Sequence, residues 1–141
     1  LTAASATEKV LMLVTDDPAS AAVIRRGRRV ADYLKADCLA VAVCPSADVG
    51  RLPVDQREAV ERHLSFARNL RVETHVLAGE TPEDAVVEFA RQRGVSQILV
   101  GPPRARSRAF GLGARDLVYR LIERAKDFQI TIVARRRSPQ S

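Results

Sequence analysis

The chain has 141 residues, enough for one domain with a core of its own. Its apolar share is 46%, aromatic residues make up 4% and tryptophan is absent, so the core must come from Val, Leu, Ile and Ala, which suits a parallel sheet covered by helices. The formal charge of +6 admits phosphates, nucleic acid or anionic lipid as partners without choosing among them, and no apolar run approaches the roughly 20 residues of a membrane-spanning helix.

Residues 1–8 read as a linker. They have neither the apolar core of a signal peptide nor an initiating Met, which leads us to expect a piece of a longer protein. Lys9–Thr15 (KVLMLVT) predicts a short buried strand. Asp17 then supplies a helix cap and Pro18 the first helical position. Val23, Gly27, Val30, Ala31 and Leu34 recur at helical spacing, so their face should pack on a sheet, with Gly27 allowing close approach. Arg25, Arg26, Arg28 and Arg29 fall mainly outside that face. Asp32 lies one turn from Arg28 and Arg29, which predicts a partly salt-bridged solvent face.

Cys38–Cys44 (CLAVAVC) is the second apolar strand. Its two cysteines would lie roughly 20 Å apart along one strand, well beyond the ~7 Å between Cα atoms that a disulfide tolerates. Two buried thiols fit a reducing compartment. His63 and His75 have no ligand-like spacing with either cysteine, so both read as ordinary helix or strand residues and no metal site is expected. Pro45–Pro53 predicts a loop. Val60, Leu64, Ala67 and Leu70 mark a second helix, and Val72–Leu77 a third strand. Thr81-Pro82-Glu83-Asp84 combines a cap, a first-position proline and first-turn acids, a strong helix start. Val86, Phe89 and Ala90 should form that helix's buried face, and Gly94 should end it.

Gln97–Gly101 predicts a fourth strand, and a loop rich in Pro, Arg and Gly follows it. A helix begins around Ala114, carrying Leu117, Val118, Leu121, Ile122 and Ala125 on its buried side. The last strand is Gln129–Ala134, and Arg135–Ser141 is a basic polar tail. The domain therefore spans 9–134. Its β-α-β-α-β-α-β-α-β order implies an α/β fold, a single doubly wound, Rossmann-like parallel sheet of five strands with four helices. Ligands of such sheets bind beyond the carboxyl ends of the strands, where strand order reverses.

The residues at those ends are the candidate binding residues: Thr15 and Asp16 after the first strand, Val43 at the second, and the loop after the fourth with Gly101, Arg104, Arg106, Arg108, Gly111 and Gly113. Glycines let a ligand approach the backbone, a helix N-terminus offers unpaired N–H groups, and arginines match phosphate with planar donor forks. A solvated basic loop is the competing interpretation. Asp16-Asp17 also suggests a phospho-acceptor receiver domain. That fold needs an Asp ending the third strand and a Lys ending the fifth, whereas Leu77-Ala78-Gly79 and Val133-Ala134-Arg135 stand there. Ser107 has no histidine that can be placed beside it, and neither cysteine belongs to a redox motif. A binding module is favoured over an enzyme, with no catalytic residue assigned. Nucleic acid is disfavoured, because no aromatics interleave with the arginines.

Several segments resemble a known family. The Thr15-Asp16 strand end, the five-strand alternation and Gly101 before a loop and helix are similar to universal stress proteins. The segments Ile24–Ala31, Leu64–Leu70 and above all Phe89–Gly101 are similar to the universal-stress-protein-like domain of KdpD-type sensor histidine kinases. The resemblance covers about residues 8–134 and implies strand order 3-2-1-4-5, with a site between the first and fourth strands. It further implies a regulatory domain on the cytoplasmic side of the inner membrane. The domain would partner the other cytoplasmic domains of a potassium-responsive two-component kinase and hold none of that kinase's catalytic residues.

An adenine nucleotide such as ATP, another anion, and a homodimer are the further partners the resemblance admits; a membrane enters only through the parent. A free-standing universal stress protein binding ATP is the alternative. ATP-binding members carry Gly-x2-Gly-x9-Gly-Ser/Thr. Here Gly101 is kept, Arg104 takes the second glycine position, and the third falls on Ala114, or on Gly113-Ala114 with a shift of one. Cyclic-di-AMP-binding KdpD domains carry Ser-x-Ser after the first strand and an aromatic-rich motif at the second. This chain has Thr15-Asp16-Asp17 and Val41-Ala42-Val43-Cys44 at those places.

Overall fold

A computed structural model describes residues 8–103 and 114–134. Five parallel strands, β1 (Lys9–Leu13), β2 (Asp37–Cys44), β3 (Glu73–Ala78), β4 (Gln97–Val100) and β5 (Gln129–Ile132), form one sheet in the order β3-β2-β1-β4-β5. Four helices connect them: α1 (Ala19–Leu34), α2 (Val54–Asn69), α3 (Pro82–Arg93) and α4 (Ala114–Arg124). The sheet order and helix count are those expected from the sequence and the resemblance.

Strand alternation decides which residues enter which half of the core. Val10, Met12 and Val14 point to one face, where they meet Val23 and Ile24 of α1 and Val60, Leu64 and Ala67 of α2. Leu11 and Leu13 point to the other, against Val86 and Ala90 of α3 and Leu117 and Leu121 of α4. Because β1 is covered on both faces, it reads as a continuous apolar run. Gly27 sits where α1 crosses β1. A Cβ added there would lie 2.4 Å from Met12 Cγ and Sδ, so the glycine sets the distance between helix and sheet. Gly94 ends α3 at φ 71°, a left-handed conformation that a residue with a side chain adopts only with strain.

Local details differ from expectation in several places. Leu34, expected on the packed face of α1, is 39% exposed, because it is the last residue of that helix. The assigned start of α1 is Ala19, although Pro18 already has helical dihedrals and Asp17 does act as a cap: its Oδ1 accepts the Ala19 N–H at 2.9 Å. The Pro45–Pro53 loop contains a short 3-10 turn, Val49–Arg51, because Asp48 accepts the Gly50 N–H. Ile122 is 41% exposed, since it lies beside β5, the edge strand of the sheet among the described residues. Glu83, expected as a solvated first-turn acid, is buried with only 3% exposure and bonded to Arg120 of α4.

Candidate binding site at the carboxyl edge of the sheet

The pairing register leaves a notch around the end of β1. On one side the last β1–β2 partners are Leu13 and Val41, after which Val14 N–H donates to the Val41 carbonyl. Yet β2 runs on beside β3 as far as Cys44 and Ala78. On the other side β1 pairs with β4 only through Met12 and Leu99, while β4 continues beside β5 to Val100 and Ile132. The central strand thus stops short of β2, and its pairing with β4 ends one residue before β4 does. The connection after β1 leads to α1 on one face of the sheet and the connection after β4 leads to α4 on the other, the geometry in which doubly wound sheets form a crevice.

Two narrow cavities flank this strand end. The one toward β4 holds about 30 Å³ and is lined by Thr15, Asp17, Ser20, Gly101 and Pro102 over an apolar floor that includes Leu13 and Val100. The one toward β2 holds about 10 Å³ and is lined by Thr15, Asp16, Val43, Cys44 and Gln56. The first has room for about one water, so a larger ligand would lie across the rim of the notch and send only single groups inward. Thr15 thus lines both cavities, Gly101 the one toward β4, and Asp16 and Val43 the one toward β2. Arg104, Arg106, Arg108, Gly111 and Gly113 lie outside the described residues, as does the tail beyond Ala134.

The β1–α1 turn is tied down by its own side chains. Ser20 Oγ accepts the Thr15 N–H at 3.0 Å and donates to the Thr15 carbonyl at 3.2 Å. Thr15 Oγ1 accepts the Asp17 N–H at 3.1 Å. Because the Asp17 carboxylate already occupies the N-terminus of α1, that helix end offers its positive dipole to the protein itself. Acids line both cavities, Asp17 toward β4 and Asp16 toward β2, so both favour hydroxyl or amine groups, and the space beside Gly101 is small. Gly101 has no side chain to fill that space: a Cβ added there would meet the Ala19 methyl at 3.4 Å.

His63 is the residue that sequence reasoning undervalued. It is buried, and its Nδ1 lies 3.1 Å from the Thr15 carbonyl. A carbonyl only accepts, so the ring donates from Nδ1 and pins α2 to the site turn. Burial pushes His63 below the ordinary imidazole value, outweighing the Thr15 bond, which acts the other way. The signal was present in the spacing: Val60, His63, Leu64 and Ala67 fall at i, i+3, i+4 and i+7, the buried stripe of α2. His75, by contrast, is the ordinary strand residue expected, packed against Phe89 with ring centroids 5.0 Å apart. Cys38 and Cys44 are both buried free thiols. Burial pushes each above the usual thiol range, so neither supplies a thiolate nucleophile at neutral pH.

No protein-family model matches the chain. Among curated proteins, it is 30% identical over 114 residues to the sensor protein KdpD of Mycobacterium tuberculosis, covering 78% of this chain and 13% of that protein. It is 31% identical over 99 residues to the sensor protein KdpD of Escherichia coli, covering 70% of this chain and 11% of that protein. The chain thus spans about an eighth of the length of these relatives. Among solved structures, the universal stress protein of Archaeoglobus fulgidus superposes with a TM-score of 0.64 at 19% identity, over 89% of this chain and 93% of that one. A universal stress protein from Archaeoglobus fulgidus in complex with dAMP superposes at 0.62 and 19% identity, over 90% and 97% of the two chains. The strand order, the Thr15–Asp16 notch and this pair of likenesses agree: the chain has the universal stress protein fold and belongs with the universal-stress-protein-like domains of KdpD sensor proteins.

Proposed function

We propose that this domain is a cytoplasmic regulatory module of a potassium-responsive KdpD-type sensor histidine kinase, and that it binds an adenine nucleotide or a related phosphate anion across the notch at the end of β1. The observation that carries the ligand half is the notch itself, lined by Thr15, Asp16, Val43 and Gly101 at the end of β1, where the connections after β1 and β4 lead to opposite faces of the sheet. The residues present suit such a ligand. Asp16 would accept a ribose hydroxyl or a base amine, and Val43 would contribute an apolar wall and its main chain. Gly101 would admit a phosphate to the backbone. Arg104, Arg106 and Arg108, with Gly111 and Gly113, would supply donors and close approach beyond it. A dAMP complex of a protein with the same fold supports the choice of nucleotide. Among the described residues no side chain in the notch pairs a nucleophile with a base, in keeping with a binding role in which the kinase chemistry belongs to other parts of the parent.

Calorimetry of the domain with AMP, ATP and inorganic phosphate tests the ligand. Saturable heat with a nucleotide, lost in Gly101→Val, is expected. Absence of heat up to millimolar nucleotide would remove the ligand half of the proposal. The regulatory half is tested separately, by potassium-dependent autophosphorylation of the full-length parent carrying the same substitution; output identical to wild type would remove it.

A further inference from the structure

The outer face of α1 carries charge that the fold does not use. This helix holds four arginines against one aspartate, whereas α2 holds three arginines against three acids. Two of the four arginines have structural work. Arg28 bonds Asp32 at 2.7 Å and reaches the Arg71 carbonyl at 3.2 Å, joining α1 to the end of α2. Arg25 lies over the Phe66 ring at 5.9 Å. Arg26 and Arg29 are exposed and, among the described residues, make no hydrogen bond, ion pair or ring contact. They are one turn apart, and Arg29 is also one turn from Arg25, so like charges face each other along the helix. Tyr33, one turn further, is 87% exposed. Arg26, Arg29 and Tyr33 form a single stripe about 11 Å long, since each residue adds about 1.5 Å.

We infer that this stripe is a docking surface for an acidic protein segment elsewhere in the parent sensor protein. The occupant follows from composition and size. Arginine with an exposed tyrosine is the pairing enriched where proteins bind proteins. Anionic membranes are typically engaged by clusters of roughly four to eight basic residues, and two free arginines fall short of that. Tight binding to duplex DNA draws on several phosphate contacts, on the order of six to ten, over a longer track than one short helical stripe provides. The chain makes up 13% of the length of its tuberculosis relative, so much more protein surface lies outside this domain than within it. The inference rests on the proposed place of the domain within a KdpD-type parent.

The test places a photo-crosslinking residue, Tyr33→p-benzoylphenylalanine, in the full-length parent. We expect crosslinks to a peptide of the same polypeptide that carries at least two carboxylates within one helical turn. Arg26→Glu with Arg29→Glu should lower the yield by about tenfold, as the loss of two exposed ion pairs implies. Lys at the partner's acids should restore it, and Arg26→Lys with Arg29→Lys should keep it. Because neither arginine bonds or pairs with another described residue, the charge-reversed variant should melt within a degree or two of wild type, which separates lost docking from lost folding. Crosslinks only to lipid or nucleic acid, only to peptides without acids, or in undiminished yield from the charge-reversed variant would overturn the inference. Crosslinking as expected, with potassium-dependent output unaltered by the charge reversal, would leave the docking surface standing and remove the regulatory reading.

Discussion

The two faces of the sheet treat charge in opposite ways. Under α3 and α4, ion pairs join neighbouring helices: Glu83 to Arg120 at 3.0 Å, Asp84 to Arg124, and Arg91 to Asp127 at 3.2 Å. Under α1 and α2, apolar packing and His63 hold the elements together, Arg28 reaches the carbonyls just after α2, Arg25 lies over Phe66 of α2, and Arg26 and Arg29 are left in solvent. Both faces rest on the same β1, whose side chains alternate between them. An arginine count therefore says nothing about role in this protein. What decides is whether an acid of the neighbouring helix stands within reach.

The sharpest way to break this contrast is Arg120→Ala. It leaves the Glu83 carboxylate buried without its partner, and we expect a loss of about 2 kcal/mol in urea unfolding. That is less than for a fully enclosed pair because Arg120 itself is 42% exposed. Arg120→Ala with Glu83→Gln should recover part of the loss. A loss no larger than that of an exposed pair, about 0.5 kcal/mol, would mean that the α3–α4 pairing is surface decoration.

On the opposite face, Gly27→Ala probes packing without charge. The added methyl overlaps the fully buried Met12, so overpacking of about 1–3 kcal/mol is expected, read as a lower melting temperature. A gain in stability, the usual result of exchanging glycine for alanine within a helix, would show that Met12 moves aside freely.

The smallest effect is a pH dependence confined to the α2 side. The unfolded chain has His63 at its ordinary value of 6.5 and the folded protein holds it lower, chiefly through burial. Below pH 6.5 the unfolded state therefore binds more protons. The His63 contribution is complete above that value and diminishes as pH falls toward the folded value. Unfolding midpoints should drop as pH falls below about 6.5. His63→Asn, whose amide can still donate to the Thr15 carbonyl, should flatten that slope. An equal slope in the variant would assign it to other groups.

Much of this architecture was legible from period and punctuation. Alternating apolar runs and helical stripes gave every strand and helix, because a buried parallel strand must be apolar throughout and each helix needs one apolar stripe. Capping signals such as Thr81-Pro82 and Gly94 fixed the ends of α3. Asp17 was recognised as a cap from residue type alone, although the first assigned helical residue came later than expected. Tertiary facts were harder. Ile122 matches the buried stripe of α4 but lies at a sheet edge, and its exposure depends on what stands beyond β5. Glu83 looks like a solvated first-turn acid until α4 brings Arg120 over it. His63 occupies a core position in a stripe, yet its Thr15 partner is 48 residues away in sequence. Of the site, Thr15, Asp16, Val43 and Gly101 could be gathered because strand ends in this topology converge on one edge. The arginines and glycines of 104–113 lie outside the described residues and enter only through the proposal.

The most direct test of that proposed site is an amide chemical-shift map of the domain titrated with AMP. If nucleotide crosses the notch, Thr15, Asp16, Val43 and Gly101 should shift together and saturate with one dissociation constant, while Arg26, Arg29 and Tyr33 on the outer face of α1 remain unmoved. No shift at millimolar AMP, or shifts confined to the α1 stripe or the β5 edge, would contradict a nucleotide site at the end of β1.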